Sequence, residues 1–246
     1  MIVAIVQARM GSRRLPGKTL MPFGHTTVLG YLLERIKSSN YVDKIVVATT
    51  NLADDDAIHS EAVKHNCHVY RGSSRNVLSR FYGAATKFNA DVIVRLTADD
   101  PFKCPKIVDA AIEMLVEDQL NYVSNTIKPS YPEGFDVEVF TYHTLQLAFQ
   151  NAKIERHLEH VTPYIYENSE NFKIGHLTSD IDYSSLRMTI DYLTDYKVLY
   201  DIAKNVDHHI AGDDLIEYVS KKNLSVIIQS DIERNQGYNE QLNAKN

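Results

Sequence analysis

Three short runs of consecutive apolar residues constrain this chain most. They lie at residues 2–6 (Ile-Val-Ala-Ile-Val), within 44–49 (Ile45, Val46, Val47, Ala48) and within 91–96 (Val92, Ile93, Val94, Leu96). A run without polar alternation, too short for a helix, reads as a strand buried on both faces, which is the habit of parallel strands covered by helices. Helical patterns fill the gaps. Thr26 or Thr27 can cap a helix whose apolar face is Val28, Leu29, Leu32, Leu33 and Ile36. Further helices are expected at about 54–64, 76–88 and 105–116, with a short strand at 67–70 before a turn at 71–74. The order βαβαβαβα predicts a parallel sheet with helices on both faces.

The second half is less regular. Strands are expected at 121–124 and 135–140, separated by a loop at 128–134 that holds proline and glycine. Helices follow at 142–151 and 154–168, strands at 172–177 and 187–190, and helices at 196–205 and 213–221. The polar stretch after Ile232 is expected to fray. The 246 residues suit one α/β domain with a mixed, mostly parallel sheet. The region 131–168 is expected as an arm that pairs with a second subunit.

Charge is concentrated just after the first strand. Arg9, Arg13, Arg14 and Lys18 fall within ten residues of a chain whose net charge is −6. The same loop holds Gly11 and Gly17. Glycine lets backbone N–H groups approach an anion and the cations neutralise it, so a polyphosphate ligand is expected here. The acidic balance argues against nucleic-acid binding, which needs a broad basic face. No apolar run approaches the ~20 residues of a membrane span. No cations precede the first apolar run, so a secretory signal is not expected, and Cys67 and Cys104 suit a reducing cytoplasm as buried thiols.

Ligands of open α/β sheets gather outside the carboxyl ends of the strands. Besides the basic loop, three polar clusters are expected there: Arg71-Gly72-Ser73, Thr97-Ala98-Asp99-Asp100-Pro101, and Asp191 after the run 187–190. A basic loop with two strand-end carboxylates suggests a nucleoside triphosphate with Mg²⁺, which takes one or two protein carboxylates and completes its shell with phosphates and water. Asp99 and Asp191 are the candidate ligands. Taken singly, Asp99 reads as a cap or turn residue sooner than as a ligand, and Asp191 as the cap of the helix that follows. Only their combination with the basic loop favours the metal reading; Asp100 before Pro101 is read as a cap.

Letter by letter, Gln7-Ala8-Arg9-Met10-Gly11-Ser12-x-Arg14-Leu15-Pro16-Gly17-Lys18 resembles the signature of the sugar-acid cytidylyltransferases. These include the CMP-sialic acid and CMP-Kdo synthetases and the spore-coat-polysaccharide SpsF-like branch. The resemblance continues through Arg71-Gly72-Ser73, Asn76-Val77-Leu78-x-Arg80-Phe81, Arg95-Leu96-Thr97-Ala98-Asp99-x-Pro101 and Tyr131-Pro132-x-Gly134-Phe135-Asp136-Val137-Glu138. His160-Val161-Thr162-Pro163-Tyr164 and Arg187-x-Thr189-Ile190-Asp191-Tyr192 complete it. It implies a Rossmann-like, GT-A-like nucleotide-binding fold, a homodimer, Mg²⁺, and attack by a sugar-acid hydroxyl on the α-phosphorus of CTP, for surface-glycan synthesis. Arg9 and Lys18 would hold the β- and γ-phosphates, with Arg14, Ser12 and the Gly11 backbone assisting. The backbone at Ala8 and Arg9 would meet cytosine. Arg71 and Ser73 match positions near base and ribose, and Thr97 and Ala98 fall in the nucleotide-binding set.

For the sugar, Glu133, Asp136 and Glu138 place three carboxylates within six residues, and Asp136 and Glu138 share a strand face. They read either as contacts to sugar hydroxyls or as a solvated edge. Arg156, His157, His160 or Arg187 could meet the substrate carboxylate, and His160 and Arg187 lie in matched motifs. His59, His65, His68, His208 and His209 form no metal-ligand pattern, and the His208-His209 tandem reads as surface. Two other classes stay open: another sugar nucleotidyltransferase, disfavoured by the lack of a Gly-Gly opening, and a non-catalytic nucleotide-binding protein.

Overall fold

The computed structural model describes residues 1–222, so the polar stretch after Ile232 lies outside the described residues. The strands are β1 (Ile2–Gln7), β2 (Pro22–Phe23), β3 (Thr26–Thr27), β4 (Lys44–Thr50), β5 (His68–Gly72), β6 (Val92–Thr97), β7 (Tyr122–Ser124), β8 (Glu138–Thr141) and β9 (Ile174–His176). The helices are α1 (Val28–Ile36), α2 (Asp56–Lys64), α3 (Val77–Lys87), α4 (Pro105–Glu117), α5 (Tyr142–Asn151), α6 (Glu155–His160), α7 (Pro163–Glu167), α8 (Leu193–Asn205) and α9 (Gly212–Lys221).

Seven strands form one sheet in the order β5-β4-β1-β6-β8-β7-β9, and β2 and β3 make a separate hairpin. β5, β4, β1 and β6 are parallel, and β8 runs antiparallel to both β6 and β7. The chain builds outward from β1 through β4 to β5, then returns to lay β6 on the other side of β1. This reversal opens a crevice at the carboxyl ends of β1 and β6, where such sheets bind ligands. Gln7 and Thr97 are register partners there.

Side-chain alternation along β1 divides the core. Val3 and Ile5 face a layer with Leu78, Phe81, Ala84, Leu145 and Ile165 of α3, α5 and α7. Ala4 and Val6 face the layer of α1, α4, α8 and α9, with Leu32, Leu33, Val108, Leu199 and Leu215. This is the two-faced burial expected of strands without polar alternation.

Several expected elements change. The helix expected at 154–168 breaks into α6 and α7 at Val161, whose φ of 73° no continuous helix allows, with Pro163 following. Among the described residues, 187–190 join no sheet strand. They run extended through a single bridge, Glu133 with Arg187, because Met188 N donates to Glu133 O and Glu133 N to Leu186 O. Of the 131–168 stretch expected as an arm, β8 sits inside the sheet, and Leu145, Ala148, Val161 and Ile165 are buried. His208, expected on the surface, keeps only 14% of its side chain exposed. Among the described residues no helix is long and apolar enough to cross a membrane.

Candidate active site

The loop between β1 and Lys18 is held by its own polar groups. Ser12 N and Gly17 N both donate to Met10 O, at 2.9 and 3.0 Å, and Leu15 N donates to Ser12 Oγ at 3.3 Å. Gly17 has φ 75°, a left-handed turn that glycine adopts without strain. The loop is anchored from below: Met10 N donates to Asp55 Oδ1 at 2.7 Å and Thr19 Oγ1 to Arg9 O at 3.2 Å. Arg9, Gly11 and Arg13 remain exposed on it, and Ala8 is buried below.

Lys18 is 8% exposed. Its ammonium donates to Asp99 Oδ2 at 2.7 Å, Ile190 O at 2.6 Å and Asp191 Oδ1 at 3.0 Å. An ammonium has three donors, and here all three are used. Burial alone would lower its pKa, but the charges of Asp99 and Asp191 outweigh this and raise it. Three remote segments meet at this one atom: the loop after β1, the loop after β6 and the extended run before α8. Ile190 N donating to Asp99 O at 2.9 Å ties the second to the third.

Asp191 is the hub of the cations. Its Oδ1 also accepts from Arg14 at 2.6 Å and its Oδ2 from Arg187 at 2.7 Å. Burial would raise its pKa, yet Lys18 and Arg14 hold it well below the usual carboxylate range. It does not cap α8. Tyr192 is the N-cap, and Asp195 accepts the Asp191 and Tyr192 N–H groups, each at 2.9 Å. The guanidinium of Arg14 lies 5.5 Å from the Tyr192 ring centroid. Arg187, 5% exposed, also pairs with Glu133 at 2.5 Å and Asp195 at 3.5 Å. Gly134, beside Glu133, has φ 101°, and a side-chain carbon there would lie 2.5 Å from the Met188 carbonyl carbon. Only glycine lets these two segments meet. Of the expected sugar contacts, Arg187 is thereby bonded directly to Asp191, and Glu133 joins the Lys18–Asp191 cluster through Arg187.

The other expected residues fall elsewhere. Arg71 sits at the end of β5, two strands from β1, or about 10 Å by strand spacing. Its guanidinium donates to Thr50 O and Leu52 O, both at 2.8 Å, and to Asp56 at 2.5 Å. Ser73 Oγ accepts from Arg75 N and Asn76 N, leading into α3. Ala98 N donates to Gln7 O at 3.1 Å, closing the floor between β1 and β6. Thr97 Oγ1 donates to Asp100 at 2.5 Å. Asp100 is not a helix cap, since α4 starts from Cys104. It is buried with Lys103, whose ammonium lies 2.7 Å away and also donates to Asp136 O. Burial would raise the Asp100 pKa, and Lys103 holds it low.

Glu138 is 4% exposed, so it is not a solvated edge. It accepts from Arg95, from Tyr122 Oη at 2.5 Å and from Thr162 Oγ1 at 2.6 Å. Burial, then the Glu138 charge, push the Tyr122 hydroxyl well above its ordinary pKa. This network explains the His160-Val161-Thr162-Pro163 motif: the turn at Val161 delivers the Thr162 hydroxyl to Glu138, and His160 closes α6 just before it.

One residue had no role assigned from sequence. Arg80 is 2% exposed, donates to Ser73 O at 3.1 Å and forms no ion pair among the described residues. Burial and the nearby Arg9 charge lower its pKa to about 10. The signal was present: an arginine among the apolar positions of α3, next to Leu78 and Phe81.

The hard oxygen donors Asp99 and Asp191 suit a divalent cation such as Mg²⁺. Both reach a single cationic atom, the Lys18 ammonium, within 3.0 Å. A magnesium ion would have to share or displace that ammonium.

The cytidylyltransferase family model matches residues 3–232. The spore coat polysaccharide biosynthesis protein SpsF of Bacillus subtilis is 34% identical over 212 residues, 82% of this chain and 87% of that protein. A 3-deoxy-manno-octulosonate cytidylyltransferase of Chlamydia trachomatis is 26% identical over 221 residues, 85% of each chain. In three dimensions the chain is similar to a cytidylyltransferase from Leptospira borgpetersenii. That structure has a TM-score of 0.89 at 36% identity and covers 95% of this chain and 98% of its own. The mixed, mostly parallel sheet with helices on both faces is the Rossmann-like architecture of these neighbours.

Proposed function

This chain belongs to the cytidylyltransferase family and is a CTP-dependent nucleotidyltransferase, and from that premise we propose that it activates a sugar acid as its CMP derivative. The hydroxyl of a 3-deoxy-ulosonic or nonulosonic acid attacks the α-phosphorus of CTP. The bond from that phosphorus to the oxygen bridging the α- and β-phosphoryl groups breaks, pyrophosphate leaves, and the hydroxyl proton passes to solvent.

The observation that carries this reading is the convergence of Asp99, Asp191 and Lys18 beside the basic loop. Arg9, Arg14, Lys18 and the Gly11 and Ser12 backbone bind and orient the triphosphate. Their positive charge offsets the charge that develops on pyrophosphate, and phosphoryl transfer depends on such positioning and electrostatics. Asp99 and Asp191 would hold Mg²⁺. When bound, that ion would raise the electrophilicity of the α-phosphorus and help pyrophosphate leave. Ala8 and the edge formed by Arg71 and Ser73 hold the nucleoside. Arg187 is the cation for the substrate carboxylate: it is held in the cluster by Glu133, Asp191 and Asp195. Glu133, Asp136 and His160 are assigned to the sugar side, and Glu138 supports them from the buried network. The name of the Chlamydia relative supports the sugar-acid class. The SpsF relative supports a place in surface-polysaccharide synthesis. A single cytoplasmic domain acting as a homodimer through its 131–168 region completes the proposal.

The test is a CTP-dependent screen of sugar acids with Mg²⁺, reading pyrophosphate release and product mass. One acid giving a CMP-sugar mass is the expected result. CTP binding with no turnover on any sugar acid would favour a non-catalytic nucleotide-binding protein. Turnover with a sugar phosphate alone would move the chain to another class of nucleotidyltransferase.

A further inference from the structure

Away from the nucleotide crevice, a second cluster of donor groups joins three remote segments. His25 is in the turn of the β2–β3 hairpin, Glu34 lies on α1, and His208 is in the connection between α8 and α9. Glu34 Oε2 lies 2.8 Å from His25 Nε2 and 3.3 Å from His208 Nε2. The three donor atoms all fall within 4.8 Å of one another. The other carboxylate oxygen, Oε1, lies 3.2 Å from His65 Nδ1, and His65 Nε2 lies 3.1 Å from Glu61. Glu34 is therefore oriented from behind, as outer-shell groups orient metal ligands.

His208 supplies the second, independent observation. Both of its ring nitrogens are buried, and among the described residues neither makes an aligned hydrogen bond. Its Nε2 is near Glu34 Oε2 in distance but not in angle. The ring packs edge-on against Tyr31, with centroids 4.1 Å apart. Its backbone carbonyl is fixed by Arg35, which also holds Ile210 O at 3.0 Å. Burial, with the nearby His209, His25 and Arg35 adding to it and Glu34 opposing it, lowers the His208 pKa to about 4. A neutral imidazole with a buried, unshared lone pair is a metal donor awaiting a partner.

We propose that His25, Glu34 and His208 form a structural site for a borderline divalent transition metal of the zinc class, separate from the nucleotide site. Two imidazoles and one carboxylate select such an ion over Mg²⁺ or Ca²⁺, which take all-oxygen shells. His25 is 59% exposed in its side chain, so the fourth position is open to water and the ion can exchange with solvent. The ion ties together two stretches that follow candidate catalytic residues. The β2–β3 hairpin follows Lys18, and α8, which leads to His208, follows Asp191. Tyr196 Oη donating to Pro22 O at 2.7 Å already links the same two stretches.

The test uses tag-free, full-length protein stripped with a chelator, and the metals alone as probes. Calorimetric titration should show one Zn²⁺ per chain at this site. Equimolar Zn²⁺ should raise the thermal midpoint by several degrees, and Mg²⁺ should not. His25→Ala and His208→Phe should each weaken Zn²⁺ binding at least about tenfold, and His65→Ala should weaken it about 10-fold to 100-fold. Asp99→Asn with Asp191→Asn should leave that binding intact. Circular dichroism identifies any variant that fails to fold, and the exposed His25 position keeps one variant interpretable. Zn²⁺ without effect on the native protein, or equal binding by His25→Ala and His208→Phe, would overturn the proposal. So would loss of the Zn²⁺ signal in the Asp99→Asn, Asp191→Asn variant.

Discussion

Lys18 and Asp191 are 173 positions apart in sequence, and the ammonium of one lies 3.0 Å from the carboxylate of the other. Asp99 reaches the same ammonium at 2.7 Å from a third segment. The site therefore comes together only when the β1–β6 crevice is formed and residues 187–191 are laid across it.

In the proposed function Lys18 neutralises the triphosphate. Lys18→Met is expected to lower the rate of CTP-dependent pyrophosphate release by about 100-fold or more. Lys18→Arg is not expected to rescue it, because the planar guanidinium cannot fill a pocket that gives three convergent acceptors to a compact ammonium. Activity within twofold of the parent would leave Lys18 as a structural ion pair only.

Asp191→Asn is expected to cut kcat strongly while CTP still binds, as read by calorimetry beside steady-state rates. It also carries a pH signature. The folded-state pKa of Asp191 lies below its unfolded value of about 3.9. Its stabilisation is therefore fully present above that value and is lost as pH falls toward the folded pKa. The gap in urea midpoint between parent and Asp191→Asn should be widest at pH 7, start to narrow below about pH 4 and keep narrowing as pH falls further. A gap that stays constant from pH 7 down to about pH 2 would assign the stabilisation to another group.

Glu138 tests the line between substrate contact and scaffold. Its partners Arg95, Tyr122 and Thr162 are all protein groups. Removing one partner of a buried pair costs about 3–5 kcal/mol, since the other charge stays buried. Glu138→Gln is expected to lower the chemical-denaturation free energy by about that much. A normal denaturation curve with a raised KM for the sugar acid would instead make Glu138 a direct contact.

Arg80 is a buried cation whose carbonyl partner is Ser73 and whose neighbour is the cationic Arg9. A bound triphosphate would relieve that repulsion. Arg80→Gln is expected to raise the KM for CTP about tenfold or more, the loss of one charge-assisted hydrogen bond. An unchanged KM with lowered stability would limit Arg80 to shaping the turn before α3.

The lowered pKa of His208 gives the fold an acid-sensitive point. The unfolded imidazole takes up a proton near pH 6.5, while the folded one resists until about 4. The unfolded state binds more protons in that window, so stability falls as pH drops from 6.5 to 4. In chelator-treated protein, His208→Phe should flatten this part of the midpoint-against-pH curve. The groups facing the ring are Glu34, His25, His209, Arg35 and the edge-packed Tyr31, and an unaltered slope would pass the effect to the charged ones among them.

Much of the first half was readable because burial on both faces of a parallel sheet leaves a local mark. The short apolar runs placed β1, β4 and β6 within a residue or two, and Thr27 and Asn76 stand as the caps of α1 and α3. The second half was harder because its segments are held by contacts outside any local period. Residues 187–190 carry a strand-like apolar pattern, yet bond to Glu133 and Asp99 rather than to a sheet neighbour. Asp100 has the spacing of a cap, but Lys103, three residues on, turns inward and claims it.

The sequence by itself determined which local pieces were available. A glycine-bearing loop of four cations after the first strand, with acids after two later apolar runs, is the pattern expected of a polyphosphate with a cation, because charge and backbone freedom are local properties. Only the tertiary structure decided which acids meet the loop. Asp99 and Asp191 converge on Lys18, Asp100 turns into the core, and Glu138 closes a buried network. The same carboxylate chemistry stands at all four positions. Burial and the nearest cation separate them, and both are set by contacts between segments far apart in the chain.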